Sequence, residues 1–410
     1  MSHEPSKRAL DGVRVLDLSR VLAGPWASQL LGDLGAEVIK IERPGAGDDT
    51  RGWGPPFLKN EAGETTDAAY FLAANRNKKS VAIDIADPAG ADLVRRIAAT
   101  SQIVVENFKV GGLKKYGLDY ASLAAINPAL VYCSITGFGQ TGPEAARAGY
   151  DYMIQAMGGL MSVTGQPHGA PGAEPMKVGV AVADLFSGMY ASAAILAALR
   201  HAERTGEGQH VDVALFDCQI AMLANQASNY LVSGTAPERL GNAHPNIAPY
   251  QVFATANGYI VIAVGNDSQF ASFARALGLA ALADDERFAS NRKRVANREE
   301  LLASLEPAMR SRTTEVWLAA MEEAGVPAGP INTIDKVFSE AQAKARAMTA
   351  PIDRADARGL SMVVHPVKFS VTPPCADLPP PPLGSHTDEV LGGFAGADEL
   401  SHLKACGVVG

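Results

Sequence analysis

Two short apolar runs flank a helical run near the start of the chain, and this alternation constrains the fold more than any other feature. "VRVLDL" (Val13–Leu18) reads as a strand, "PWASQLLGDLG" as a helix and "AEVIKIE" (Ala36–Glu42) as a second strand. Pro25 suits the first helical position, where its missing N–H would be unsatisfied anyway, and Gly35 suits the residue past the helix end. Short apolar strands joined by a helix pair in parallel through a right-handed crossover. The pattern continues through "SVAIDI", a helix from about Pro88, "SQIVVEN", a helix near "YASLAAINP", and "LVYCSITGFG". Strands alternating with helices over half the chain predict an α/β fold with an open parallel sheet.

Past Arg200 the turn "TGEGQ" leads to a strand, "HVDVALFD", and a helix from about Phe216. From about Ser228 the character changes. One strand, "GYIVIAVGN", precedes a mostly helical stretch of "FASFARALGL", "REELLASLEPAMRS" and "TEVWLAAMEEAG". The tail "SMVVHPVKFSVTPP" returns to strand character, and "CADLPPPPLGSHTDEVL" reads as a proline-rich surface crossing into a final helix. The expected division is a large α/β domain over residues 1–227, a small domain over 228–328, and a linker and return to the large domain over 329–410. No internal repeat is visible.

A chain of 410 residues ordinarily forms more than one domain. Its net charge of -8 gives no broad basic surface for nucleic acid. Cys133, Cys218, Cys375 and Cys406 lack CxxC spacing, which argues against a disulfide framework and against a zinc ribbon. The N-terminal "MSHEPSKRALDG" is neither a secretory signal nor an Arg/Ser-rich amphipathic leader, and no uninterrupted apolar run reaches membrane-spanning length. The expectation is a cytoplasmic protein with neither nucleic-acid nor membrane partners.

"GFGQTG" (Gly137–Gly142) matches the dinucleotide pattern GxGxxG and follows a strand. That fingerprint needs its third glycine to open a long helix in the first βαβ unit. Here Pro143 follows at once, and the first unit carries "SRVLAGP" instead, so the segment reads as a functional loop. Neither a P-loop nor an HExxH metal motif occurs, and no metal site is expected. Basic residues recur after strands: Arg43, Arg51, Arg76, Lys78, Lys79, Lys109, Lys114 and Lys115. Singly each reads as solvated surface. As a set they could hold phosphates, because ligands of open α/β sheets bind beyond the strand C-terminal ends. "GYDYM" places Tyr150 and Asp151 after the glycine loop, and the plain reading is a buried tyrosine and a helix-capping aspartate.

Between Val178 and Arg200 the one charged residue is Asp184, at the head of the apolar run "LFSGMYASAAILAALR". The plain reading is an N-cap. The chemical reading uses the same position: the helix dipole holds the carboxylate ionised, apolar neighbours strip it of water, and an exposed oxygen becomes a nucleophile toward an acyl group. The two readings are compatible.

These blocks together resemble the class III CoA-transferase family, which contains formyl-CoA transferase, carnitine CoA-transferases and α-methylacyl-CoA racemase. The opening "LDGVRVLDLSRVLAGPWASQLLGDLGAEVIKIERPGAGDDTRGW" is followed in family order by "NRNKKSVAIDI", "VVENFKVGGLKKYGLDY", "SITGFGQTGP", "GYDYM", "MSVTG", "ADLFSGMYA", "RTGEGQHVDVALFD" and "PLGSHTDEVL". The resemblance spans nearly the whole chain. It implies a homodimer of interlocked subunits, each with a large Rossmann-like parallel-sheet domain built from both chain ends and a smaller α+β domain. It also implies coenzyme A as a substrate and no cofactor. Asp184 matches the catalytic aspartate. Val21, Arg43, Lys79, Asn107, Phe108 and Lys115 match CoA contacts, with Lys115 replacing an arginine and so losing bidentate geometry. Gly137, Tyr150 and Asp151 fall in blocks bordering the same site, and backbone N–H groups of Gly137–Gly139 could stabilise an oxyanion.

In the racemases of the family a histidine precedes the aspartate of the "GYDYM" block. Here Tyr150 stands there, and a phenol, with an ordinary pKa of about 10, is a poor proton shuttle near neutrality. Transfer is therefore expected over the alternative of α-proton racemisation, and a non-catalytic CoA-thioester-binding protein is the remote third reading. "GNAHPNIAPYQVF" stands where formyl-CoA transferases carry a tetraglycine loop, and it resembles the block of succinyl-CoA-dependent transferases acting on dicarboxylates. His244, Pro245 and Asn246 are thus expected at the acceptor pocket. Arg51 or Arg147 would supply the cation that a dicarboxylate needs. Glutarate is the favoured acceptor.

Overall fold

The computed structural model describes residues 8–410. The chain forms two compact units, one of residues up to 160, 178–228 and 346–410, the other of residues 161–177 and 229–345.

The first unit is built on six parallel strands: β1 (Arg14–Asp17), β2 (Glu37–Glu42), β3 (Lys78–Ala82), β4 (Ile103–Glu106), β5 (Val131–Thr136) and β6 (Gln209–Ala214). Their spatial order is β3-β2-β1-β4-β5-β6, so the strand order reverses between β1 and β4. Loops leaving these two neighbours diverge and open a crevice beyond their C-terminal ends, where ligands of open α/β sheets bind. Along each strand successive side chains point to opposite faces. Val15, Val38, Val105 and Cys133 enter one buried cluster, while Leu16, Ile39, Val104 and Tyr132 enter the other.

Helix α1 (Ala23–Asp33) and helix α5 (Val182–Thr205) pack on the first face. Their close approach depends on Gly188, where a Cβ would stand 2.7 Å from the Ala23 carbonyl oxygen. By length and composition alone α5 could cross a membrane. Nine of its residues are nevertheless buried, among them Ala183, Ser187, Ala191 and Ile195, as in a core helix. Helix α2 (Pro88–Ala99) and helix α3 (Tyr120–Ile126) contribute Leu93, Val94 and Leu123 to the second face. Helix α4 (Asp151–Met157) and helix α6 (Leu215–Met222) flank α5.

Residues 384–410 cover the sheet edge at β3. The Gly410 N–H donates to the Ala82 carbonyl, the Asp84 N–H to the Val408 carbonyl and the His386 N–H to the Ser80 carbonyl, while the Thr387 hydroxyl accepts from the Ala82 N–H. The strand expected across "SMVVHPVKFSVTPP" is reduced to Ser361–Val363. Val367, Phe369 and Val371 are exposed and lie outside any strand. A helix over Ala397–Ala405 follows the expected one at Thr387–Leu391.

The second unit holds an antiparallel sheet of Tyr250–Ala254, Tyr259–Ala263 and Ala328–Pro330. Helices at Asp267–Ala276, Arg298–Met309 and Thr314–Ala324 cover it, and Phe270, Phe273 and Trp317 from these helices share one buried cluster with Phe253 of the sheet and with Phe288.

Several charges sit deep in the first unit as pairs. Lys78 bonds to Asp17, Asn75 and the Pro25 carbonyl. Lys40 bonds to Asp48 at 2.9 Å and to the Ser19 carbonyl at 2.8 Å. Burial alone would lower Lys40, but Asp48, Asp17 and Glu42 outweigh it and hold the ammonium above its ordinary value. Removing one member of such a pair strands the other charge in a low-dielectric interior. Lys40→Met should therefore cost roughly 3–5 kcal/mol in urea unfolding. Adding Asp48→Asn to that variant should recover part of the loss, because less negative charge is then left unpaired. A double variant no more stable than Lys40→Met would contradict this account.

Candidate active site

A cavity of about 450 Å3 opens at the switch point. Its walls are the loop after β1 (Arg20–Ala23), the loop after β4 (Asn107–Val110), Trp53, Gly137, the segment Ala145–Tyr150, and Asp184 at the start of α5. A second cavity of about 480 Å3 lies alongside, lined by Arg43, Asp84, Ile85 and Tyr116 among others, and both cavities are bordered by Arg20, Asp49 and Phe108. Shared walls of this kind suit one elongated ligand.

The loop after β1 is held in an unfavourable conformation. Val21 has φ 71°, a left-handed backbone that a β-branched residue rarely adopts. The Asn107 side chain accepts the Arg20 N–H at 2.9 Å and donates to the Arg20 carbonyl at 2.6 Å. The Asp48 carboxylate accepts the Val21 N–H at 3.2 Å and is itself anchored by Lys40, by the Thr50 N–H and by the Thr50 hydroxyl. Asp48 is held down at about 2: burial alone would raise it, and Lys40 and Thr50 outweigh that. At Gly24 a Cβ would stand 2.3 Å from the Ser19 Cβ, so the turn into α1 closes only on glycine.

Asp184 is not the N-cap. Ala181 occupies that position without a side-chain cap, and Asp184 is the third residue of α5. The cap comes from elsewhere: Asp151, the first residue of α4, accepts the Ala183 N–H at 2.8 Å. Its other oxygen accepts from the buried Gln155 amide at 2.7 Å, and Gln155 in turn accepts the Val178 N–H. The aspartate read as a cap thus caps a different helix from its own. Among the described residues nothing hydrogen-bonds to the Asp184 carboxylate, which is half-buried and lines the cavity. Burial, and then the negative charge of Asp151, push it up to about 7. Such a carboxylate is poorly solvated and has free oxygens, which makes it reactive toward an electrophilic carbonyl.

Around it the expected residues sort cleanly. Val21, Asn107, Phe108, Gly137, Tyr150 and Arg147 line the same cavity as Asp184, and Arg43 lines the second. Tyr150 is 66% exposed, so it is not the buried tyrosine of the plain sequence reading. Lys115 is exposed, its ammonium 4.6 Å from the Tyr116 ring. Gly137 packs face to face with Gly149, where a Cβ would meet the Gly137 Cα at 2.3 Å. The Gly139 N–H is already bound to the Thr136 hydroxyl and the Gln140 N–H to Asp212, so Gly139 is not a free oxyanion donor. Residues 137–150 contain no helix, as the loop reading of "GFGQTG" expected.

Two expectations fail on geometry. Lys79 is the second residue of β3, at the opposite end of the strands from the crevice, where it is paired to Glu37 at 3.0 Å and Glu389 at 2.8 Å. Arg51 is buried, with its donors spent on Glu42, Asp67 and the Pro381 carbonyl and its guanidinium 3.7 Å from the Phe71 ring centre. It has no fork left for a substrate carboxylate. His244 and Asn246 belong to the second unit, where the Asn246 N–H donates to His244 Nδ1 at 3.1 Å and Arg298 holds the His244 carbonyl at 2.7 Å.

Three residues went unread in the sequence. Arg20 borders both cavities, paired to Asp49 at 3.1 Å and lying 5.5 Å from the Phe108 ring. Trp53 lines the first cavity, and Tyr70 meets it edge-on at 5.4 Å. Burial raises the Tyr70 phenol, and the charges of Asp184, Asp151 and Asp48 add to that. Arg20 was legible in principle, since it directly follows the strand at the switch point. Trp53 lies in an irregular connection and Tyr70 in a helix of five residues, Ala69–Ala73, too short for periodicity to mark. Among the described residues no group of three His, Cys, Asp or Glu is placed to hold a metal ion.

Comparison with known proteins gives a consistent result. A family model described as CoA-transferase family III matches residues 10–387. A succinate–glutarate CoA-transferase of Agrobacterium fabrum is 52% identical over 95% of this chain and 97% of its own length. A succinyl-CoA:glutarate CoA-transferase of Mus musculus is 45% identical over 98% of this chain and 91% of its own. The crystal structure of a CAIB/BAIF family protein from Brucella suis superposes with a TM-score of 0.83 at 52% identity, covering 95% of this chain and all of that one.

The two neighbouring carboxylates give a direct test. Difference infrared spectra of wild type against Asp184→Ala should show a carboxyl group titrating near pH 7. In an Asp151→Asn background the same signal should move to lower pH, since removing a negative neighbour favours the ionised form. A titration in the ordinary carboxylate range would remove the basis for the reactivity argued above.

Proposed function

Because this chain belongs to CoA-transferase family III, we propose that it moves CoA from succinyl-CoA to glutarate, with Asp184 as the group that carries CoA between them. The relatives named for this reaction, 52% and 45% identical along nearly the whole chain, support the substrate pair. For the mechanism, the observation that carries most weight is the unbonded, half-buried Asp184 carboxylate at the head of α5, facing a cavity at the switch point.

The thioester end of succinyl-CoA lies against Asp184, and the nucleotide end extends past Arg20 and Phe108 toward Arg43, Tyr116 and Lys115. An Asp184 oxygen attacks the thioester carbonyl. The C–S bond breaks, leaving a succinyl-aspartyl anhydride and CoA thiolate. The thiolate then attacks the Asp184 carbonyl, succinate leaves, and Asp184 is bound to CoA as a thioester. Glutarate repeats the sequence in reverse: its carboxylate displaces thiolate to form a glutaryl-aspartyl anhydride, and thiolate attacks the glutaryl carbonyl. Glutaryl-CoA departs and the Asp184 carboxylate is restored. Acyl bonds of similar energy are exchanged throughout, so the cycle needs no ATP, and CoA enters as substrate.

Negative charge develops at each tetrahedral step, and the N-terminus of α5 faces it with its positive end. Asp151 keeps that terminus ordered by holding the Ala183 N–H. His244 and Asn246 are assigned to acceptor recognition. Tyr150, in place of a proton-shuttling imidazole, favours transfer over racemisation.

The working form is a homodimer of interlocked subunits. Phe186, Met189 and Tyr190 stand exposed on α5, and large apolar side chains grouped on one helix suit burial against a second copy. The soluble substrates suit a cytoplasmic enzyme.

Asp184→Ala should abolish glutaryl-CoA formation while CoA affinity stays near that of wild type. Mass spectrometry of wild type mixed with succinyl-CoA should reveal protein carrying covalent CoA, and the variant should show none. Turnover retained by the variant would sink the covalent route.

A further inference from the structure

We propose that Arg147 reads the remote carboxylate of the dicarboxylate substrates and so sets the enzyme's preference for diacids; this rests on the reaction proposed above. In that reaction one carboxyl group of each acid reacts at Asp184. The other must be accommodated in a cavity that already contains Asp49 and Asp184. An uncompensated second carboxylate there would be costly, so a cation has to meet it.

Three cationic side chains line that cavity: Arg20, Lys109 and Arg147. Arg20 stands where the two cavities meet, paired to Asp49 and against Phe108, which places it along the CoA chain. Lys109 is exposed and also borders a third pocket, of about 280 Å3, beside Glu106 and Ser134. Arg147 remains. Its backbone is fixed near the reacting end, because its N–H donates to the Glu144 carbonyl at 2.8 Å and Gly149, two residues on, is packed against Gly137. Two residues further still, Asp151 binds the Ala183 N–H, beside Asp184. Arg147 is thus tied to the acyl end of the cavity by a short, pinned stretch of chain.

Its guanidinium is available. The partner is Glu144, three residues earlier and about equally exposed, at 3.1 Å from one terminal nitrogen. Exposed pairs of this kind are weak. The other terminal nitrogen faces only the Met153 sulfur, at 3.7 Å, and the Phe138 ring lies 5.5 Å from the guanidinium carbon. An incoming carboxylate can therefore take over the planar fork from Glu144. Arg51, the other arginine of interest, is excluded by its buried partners.

The test compares glutarate with pentanoate, which keeps the chain length and replaces the remote carboxylate by a methyl group, with succinyl-CoA as the fixed donor. In a double-displacement reaction the acceptor's kcat/KM reports only the second half-reaction, so effects on the donor cancel. Arg147→Met should lower the glutarate-to-pentanoate ratio roughly 10- to 100-fold, the range of one lost charge-assisted bond. CoA affinity by calorimetry should be unchanged. Arg147→Lys should restore part of the ratio. Glu144→Gln should act oppositely, lowering the KM for glutarate and leaving pentanoate alone, which a merely structural role would not do. An unchanged ratio in Arg147→Met, whatever its overall rate, would overturn the proposal. Wild-type protein that forms no glutaryl-CoA would overturn the underlying reaction, and that result is read before any variant is made.

Discussion

The site depends on one buried ion pair. Lys40 and Asp48 come from β2 and the loop that follows it, both out of contact with water, and together they fix the loop after β1. The ammonium ties down the Ser19 carbonyl while the carboxylate holds the Val21 N–H. Val21 would relax from its left-handed backbone if either contact were lost. Asn107 grips Arg20 from the next strand over. Three strand ends are thereby joined through polar contacts above a sheet whose faces are apolar. The crevice that the topology opens becomes a shaped wall by this means.

Asp184 illustrates a second trade. A helix N-terminus ordinarily favours an ionised carboxylate, yet here burial and Asp151 push the other way and prevail. The cost follows from the direction of the shift. The folded protein holds a proton on Asp184 more tightly than the unfolded chain does, so stability present at low pH is lost as pH rises from the ordinary carboxyl value toward about 7. A carboxylate kept poorly solvated in this way destabilises the fold that presents it. Asp151 participates twice, as the cap that orders the turn and as the charge that disturbs it.

Much of the fold was legible in the sequence because hydrophobic period reports it directly. The βαβ opening, the later strands and the long helix headed by Asp184 all follow from runs of Val, Ile, Leu and Ala. The tail misled for the same reason: Val367, Phe369 and Val371 alternate like a strand, but alternation does not supply a partner strand. The site was legible only where position or family pattern marked it, as with Asp184, Asn107 and Tyr150. Residue type alone was a poor guide to the basic residues. Arg51 and Lys79 carry the charge that a phosphate or carboxylate would want, yet the acids that consume them lie 9 to 310 residues away along the chain, beyond any local pattern. That Asp151 caps α5 rather than its own helix was hidden likewise, since the two segments meet only in the folded state.

The covering of β3 by residues 384–410 has a consequence for how the chain is made. An edge strand with open N–H and C=O groups is a template for wrong pairing, and here its partners lie more than three hundred residues further along the chain. Until they arrive, β3 remains an unguarded edge on a sheet whose other strands are already synthesised. Contacts spanning more than three hundred residues are slow to form. The large unit is consequently most vulnerable to aggregation before residues 384–410 are synthesised, and their swift docking protects the nascent chain as much as it stabilises the folded one.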